Sequence, residues 1–425
     1  MTAITESSPV SLGSLTGLSC RLCGSARLQT FVDLGATPPC EQFLGPDELD
    51  APESTYPLHV RVCEDCLLAQ LPPLITPEET FTEYAYFSSF STSWVEHAER
   101  FVDDAARGLG LGTDSFVAEV ASNDGYLLQH VVARGLRCLG IEPSLNVGET
   151  ARDRGIPTLT AFLSPEVGYQ VRADHGPADL VVANNVYAHI PDVVGFTEGL
   201  RALVADDGWV VIEVQHLLTL MQNTQFDTVY HEHFQYYTVG TASRALAAGG
   251  LTLVDVEQLP THGGSVRLWA RPTETAGAPS TAVAEVLACE AAAGLTSLEG
   301  HAGFAAAVDR VRADLLRFLL DAAAAGQTVV GYGAPGKGNT LLNYCGIRTD
   351  LLRYTVDRNP YKDGCFTPGT RIPIHAPDRI AADRPDFVLV LPWNLRAEIA
   401  EQLSYIRGWG GRLVFPIPTL EVVAP

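Results

Sequence analysis

The sequence predicts an α/β protein in three parts: a small metal-binding unit, then two units built on parallel sheets. Three observations carry this. Two Cys-x-x-Cys pairs, Cys20/Cys23 and Cys63/Cys66, stand near the N-terminus. A strand–turn–helix–strand pattern fills residues 115–142, and a second strand–glycine-rich turn–helix pattern opens at Thr328. The expected parts are a disordered tail at 1–17, a zinc-binding unit at 18–75, a central unit at 76–275 and a C-terminal unit at 276–425.

At 425 residues and 46% hydrophobic content the chain has ample material for several cores. Its formal net charge is −22, from 28 basic and 50 acidic residues. Nucleic acid and anionic membrane surfaces both require a basic footprint, so neither is an expected partner. No apolar run approaches a membrane span, and Met1–Thr16 lacks the basic and apolar regions of a signal peptide. A cytoplasmic protein is expected, with its nine cysteines in a reduced compartment.

In that compartment two Cys-x-x-Cys pairs read as zinc ligands rather than disulfides. Cys20, Cys23, Cys63 and Cys66 give four thiolates, which close a tetrahedral centre and leave no position open for water. The metal is therefore expected to be structural. Beyond a Pro-rich linker, Tyr84 and Tyr86 suit either folding over a ligand or packing under a loop.

The first strand of the central unit (Phe116–Val120) should run into a turn (Ala121–Gly125), a helix (Tyr126–Arg134) and a strand ending in an acid (Cys138–Glu142). The turn lacks G-x-G-x-x-G, so a dinucleotide pyrophosphate is not its natural ligand. Glu119 and Glu142 suit instead an ammonium and a ribose diol, which points to S-adenosylmethionine. Ala121, Asn123, Gly125 and Pro143 lie in the loops around such a ligand. A following strand (Leu180–Ala183) ends in Asn184 and Asn185, with Tyr187 and His189 expected at the cleft rim.

Phe226–Thr238 reads FDTVYHEHFQYYT. Tyr230, His231, Glu232 and His233 make a poor core and a good proton-transfer group, because imidazole titrates near neutrality. The zincin pattern needs a histidine at Gln235, so a metalloprotease is excluded on spacing. An extended segment would put His231 and His233 on one face, Tyr230 and Glu232 on the other. Further on, THGGSVRLW looks like a sheet edge, and a long helical stretch is expected from Ala278 to Ala325. Backbone amides around Gly333–Gly338, with Lys337, form a candidate pyrophosphate cradle.

Taken together, CxxC…CxxC, EVASNDGYLL, GIEPS, NNVYAHIPD, FDTVYHEHFQYYT, THGGSVRLW and YGAPGKGNT resemble one family: the S-adenosylmethionine-dependent C-methyltransferases of nucleotide-linked 4-keto deoxysugars, nearest those acting at C-3 in antibiotic biosynthesis. The resemblance runs from Cys20 to Pro418. It implies an N-terminal zinc-binding unit, a central class I methyltransferase domain and a C-terminal Rossmann-like domain. It also implies S-adenosylhomocysteine as product, a thymidine-diphosphate 4-keto sugar as substrate, and His233 as general base. Glu232, Tyr230, His189 and Tyr84 would stand beside the sugar. With the sugar nucleotide between the central and C-terminal domains, contacts are expected from Tyr86, His231, Tyr332, Ala334, Gly336, Lys337 and Asn339. A monomer is expected. QYYT at Gln235–Thr238 departs from the S-Y-L-S common in relatives. Methylation at C-5, O- or N-transfer, and an inactive nucleotide-sugar-binding scaffold are the alternatives.

Overall fold

The computed structural model describes residues 18–82 and 87–424. The tail at 1–17, Tyr84 and Tyr86 lie outside the described residues. Strand β1 (Leu28–Thr37) pairs antiparallel with β2 (Tyr56–Cys63), and β2 with the short β3 (Ala69–Gln70). The central strands follow as β4 (Phe116–Val120), β5 (Arg137–Ile141), β6 (Thr158–Leu159), β7 (Ala178–Asn184) and β8 (Val204–Gln215). Next in the chain, β9 (Gln235–Tyr236) leaves that sheet and pairs antiparallel with β3. β10 (Leu251–Leu259) and β11 (Ser265–Pro272) then complete a seven-stranded sheet of order β10-β11-β8-β7-β4-β5-β6.

Every residue of β4 is buried, as a parallel strand covered on both faces requires. One cover is the helix Thr92–Leu109, which buries Trp94, Ala98, Phe101, Val102 and Ala105 along one stripe. It starts where the Ser91 side chain accepts the Trp94 amide and stops at left-handed Gly110. Contrary to its edge-like sequence, THGGSVRLW supplies β11, an antiparallel strand inside the sheet between β8 and β10. The expected long helix is also broken, into Thr281–Ala292 and Phe304–Ala324. Between them Gly294 and Gly300 pass so closely that a Cβ on Gly300 would lie 2.1 Å from the Gly294 oxygen.

The C-terminal sheet holds β12 (Val329–Tyr332), β13 (Thr355–Val356), β14 (Ile374–His375), β15 (Phe387–Val390), β16 (Arg412–Phe415) and β17 (Glu421–Val423). Its order is β14-β13-β12-β15-β16-β17, parallel except at β17. Hydrophobic cores cross the unit boundaries. Phe31, Val32, Leu58 and Val60 of the first sheet share a core with helix Phe304–Ala324 and β12, β15 and β16. Cys20, Cys63, Cys66 and Leu68 belong to the core of the central sheet. In that sheet the chain order reverses between β4 and β7, which places a ligand crevice over their carboxyl ends.

Candidate active site

A cavity of about 1460 Å³ occupies that crevice. Ala121, Asn123, Glu142, Pro143, Asn184 and Asn185 line one region; His189, Tyr230, His231, Glu232, His233 and Lys337 line another. Ala121, Asn123 and Gly125 all take left-handed backbone angles (φ 55°, 51° and 79°), so the loop after β4 turns sharply. Glu142 ties it down: its carboxylate accepts the Asn123 amide at 2.8 Å and the Ser144 amide at 2.9 Å. Burial pushes the Glu142 carboxyl above its ordinary range, and those amides pull it back.

Two expected ligand residues stand back from the cavity. Gly125 shapes the loop from behind; a Cβ there would lie 2.8 Å from Ile156 Cγ1. Glu119 is 1% exposed and does not line the cavity, so it offers no carboxylate to an ammonium there. Burial and the nearby Glu142 drive its carboxyl well upward. Tyr187, expected at the rim, is fully buried with its hydroxyl 2.8 Å from that of Thr197.

Trp94 escapes the sequence reading, which leaves His262 open between cleft and solvent. Both line the cavity with their rings 4.9 Å apart, and His262 Nε2 lies 3.4 Å from Asn185 Nδ2. His262 holds φ 53° in a loop between β10 and β11, a strained setting that a T-H-G-G string alone hardly announces. Asp124 is buried and binds the Ser89 amide, the Ser89 hydroxyl and Arg154, and Asn123 Oδ1 accepts the Ser88 amide, which together anchor residues 88–89 to the β4 loop.

The Tyr230–His233 row is a turn, so the faces an extended segment would give it do not apply. The His233 amide donates to the Tyr230 carbonyl at 3.1 Å. The turn brings the Tyr230 and His233 rings within 4.4 Å, while His231 faces away with Nε2 2.9 Å from the Tyr56 carbonyl oxygen. His189 joins from the other side, its ring 4.7 Å from that of His233. His233 Nδ1 donates to the Thr228 carbonyl at 2.9 Å, leaving Nε2 as an acceptor with no hydrogen bond among the described residues. Burial, then the His189 charge, hold the His233 imidazole well below its usual pKa, and burial depresses His189 to about 4. The same burial, with Glu41 nearby, raises Glu232 to about 8.

Gln235, the first residue of the QYYT stretch, has a visible task. Its side-chain amide donates to the Tyr187 and Ile190 carbonyls, each at 2.8 Å, and so holds the segment that carries His189.

The glycine-rich cradle is arranged differently from the expectation. The Ala334 amide is taken by Asp357 at 2.6 Å, and the Glu41 carboxylate receives the Gly336 amide at the start of helix Gly336–Cys345. Tyr332 bonds Gln402, and Asn339 bonds the Cys40 carbonyl. Two internal carboxylates thus hold amides that a pyrophosphate would need. Of the five residues expected there, Lys337 alone lines the cavity. Its Nζ lies 2.8 Å from Asn394 Oδ1 and 5.0 Å from the centre of the Trp393 ring.

At the N-terminal centre the Cys20–Cys66 and Cys23–Cys63 sulfurs are 3.4 and 3.6 Å apart, and all four lie within 4.8 Å of one another. Thiolates at 2.3 Å around tetrahedral zinc are about 3.8 Å apart, so the donor set fits a structural zinc. The centre grips the turn beside it. Arg21, inside the first knuckle, donates to the Leu71 and Pro191 carbonyls and lies over the Phe234 ring.

Sheet order, crevice and cavity together define an S-adenosylmethionine-dependent methyltransferase. Three family models match: a zinc binding domain over residues 20–81, a methyltransferase domain over 94–256 and a C-methyltransferase C-terminal domain over 260–418. The chain is 37% identical over 405 residues to C-methyltransferase NovU of Streptomyces niveus, covering 95% of this chain and 96% of that protein. It belongs to the C-methyltransferase family. Solved structures similar to part of the chain include the magnesium protoporphyrin IX methyltransferase ChlM of Synechocystis PCC 6803 with bound SAM (16% identity, 42% of this chain, 80% of that one, TM-score 0.32). Another is a methyltransferase of Clostridium acetobutylicum (12%, 43%, 92%, TM-score 0.35). Among the described residues no helix is long and apolar enough to cross a membrane.

Proposed function

We propose that the protein methylates C-3 of a thymidine-diphosphate-linked 4-keto deoxysugar through an enolate formed in the cavity. S-adenosylmethionine, when bound, supplies an electrophilic methyl group on a sulfonium; everything else falls to the chain. Glu142 would accept the ribose hydroxyls, with Asn123, Asn184 and Asn185 alongside. The sugar would lie against His189 and the Tyr230–His233 turn, with Lys337 a cation beside its charged end. Substrate phosphates would meet the glycine-rich segment only where Asp357 and Glu41 give way.

A carbon beside a ketone becomes nucleophilic when its proton leaves, which requires a neutral, positioned base. The observation that carries this reading is the state of His233. With Nδ1 donating to the Thr228 carbonyl, the lone pair stays on Nε2, and burial keeps the ring unprotonated. The enolate oxygen needs donors. Tyr230, its pKa raised well above the usual value by burial, retains its proton, as does Glu232 below about 8. Both C-3 and C-5 flank the ketone, and the resemblance of the motifs to C-3 enzymes is what supports C-3.

The test separates enolisation from transfer. The protein is incubated with a thymidine-diphosphate 4-keto-6-deoxyhexose and S-adenosylhomocysteine in deuterated water, and the sugar is followed by NMR. Loss of the C-3 proton signal above the spontaneous rate is expected. Exchange at C-5 would reassign the carbon, and exchange at neither, across several such sugars, would remove the enolate.

A further inference from the structure

We propose that His189, Glu232 and His233 form a second site for a transition-metal dication, weaker than the four-cysteine centre, and that a metal held there shuts down the reaction. One ring nitrogen of each histidine and a carboxylate oxygen of Glu232 lie within 4.8 Å of one another. Two imidazoles and a carboxylate form a donor set suited to zinc and its first-row neighbours.

The arrangement goes further than proximity. Metal-binding histidines are usually oriented by a hydrogen bond from the other ring nitrogen to a carbonyl or carboxylate. Both rings have that partner: His233 through the Thr228 carbonyl at 2.9 Å, His189 through the Glu232 backbone. His189 Nδ1 is buried and has no hydrogen-bond partner among the described residues, so a ligand atom stands unused at the site. All three residues line the cavity, which leaves a coordination position for water or substrate. The cysteine centre lacks any such opening, so the two sites differ in both donor type and access.

Occupancy would have a definite cost. With Nδ1 engaged, His233 can bind a metal only through Nε2, the lone pair assigned above to proton removal. Metal binding and deprotonation are then mutually exclusive; this inhibitory half rests on the proposed function, whereas the site itself does not.

Zinc bound per chain is measured by mass spectrometry after equilibration at buffered micromolar free zinc, with S-adenosylhomocysteine binding as a check on folding. Wild-type protein is expected to carry a second equivalent; His189→Ala and His233→Asn lose it and keep the first. Saturation of the wild type at one equivalent overturns the site, as does retention of the second equivalent by both variants, which would place it on other histidines. Turnover is then followed as zinc rises. Inhibition that parallels the second equivalent and is reversed by a chelator too weak to strip the cysteine centre is expected. Full turnover with both equivalents bound overturns the inhibitory half, and with it the base role of His233, while the stoichiometry stands.

Discussion

His233 and Glu232 are neighbours in the chain, and the same burial drives their pKa values apart. Removing water disfavours whichever form is charged, so the imidazole loses its proton more readily and the carboxyl holds on to its own. Near neutrality one residue is a free base and the other a proton donor. Replacing His233 with Asn keeps a polar side chain but no basic nitrogen. Turnover should fall by at least about 10²-fold, the usual share of a positioned base, with S-adenosylmethionine affinity by calorimetry unchanged. Glu232 makes a separate prediction about stability. Its folded pKa, about 8, lies above its unfolded value, so the folded state binds more protons between roughly 4.3 and 8. Stability contributed by this group therefore falls as pH rises through that window. His189, depressed to about 4, acts in the opposite sense only below roughly 6.5. Between pH 6.5 and 8 the melting temperature of wild-type protein should decline more steeply than that of Glu232→Gln. The identities of these residues were legible in the sequence because their chemistry is rare in a core. Their geometry was not, since alternation cannot foresee a turn closed by the Tyr230 carbonyl.

At the scale of elements, the local patterns were read well and the long-range ones were not. The strand Phe116–Val120 has the bounds its apolar run suggested, and the knuckles at Cys20 and Cys63 are tight turns. The glycine-rich segment after β12 was equally visible, yet what fills it was not. Glu41 lies about 300 residues upstream and Asp357 follows a different strand, so no local pattern links them to those amides. The pairing of β3 with β9 is also non-local, and it bears on the candidate site. The Leu71 amide bonds the Phe234 carbonyl at 2.8 Å, next to His233. Through this ladder and Arg21, the zinc centre holds the Tyr230–His233 turn in place. Removing the metal with a strong chelator should therefore abolish turnover, although none of the four zinc-ligand cysteines lines the cavity; restored zinc should restore it. Persistent activity in metal-free protein, verified by mass spectrometry, would break that link.

For the whole molecule, the three units are separable in sequence but not in packing. The first sheet contributes to the core of the C-terminal sheet, and its cysteines contribute to the core of the central one. A single calorimetric transition is expected, shifted as a whole by zinc removal, rather than an independent melt of the central sheet. The cavity volume agrees with this shared construction. At about 1460 Å³ it exceeds the roughly 300–1,000 Å³ typical of a pocket for one small molecule, which leaves room for two reactants side by side.

The β3–β9 pairing also sets a timetable for synthesis. Gln70 meets its partner Gln235 only after a further 165 residues have been made, which at about 5–20 residues per second is on the order of 10–30 s. Throughout that interval the nascent N-terminal sheet presents an open edge, the feature that recruits foreign strands. The short length of β3, two residues, limits what such an edge can capture. Ribosome-bound chains stalled before Gln235 should show fast amide exchange at Ala69 and Leu71, whose N–H groups face β9, and chains stalled well past Tyr236 should show it slowed. The order in which the ribosome delivers these two strands makes the newborn enzyme briefly dependent on whatever shields its unfinished edge.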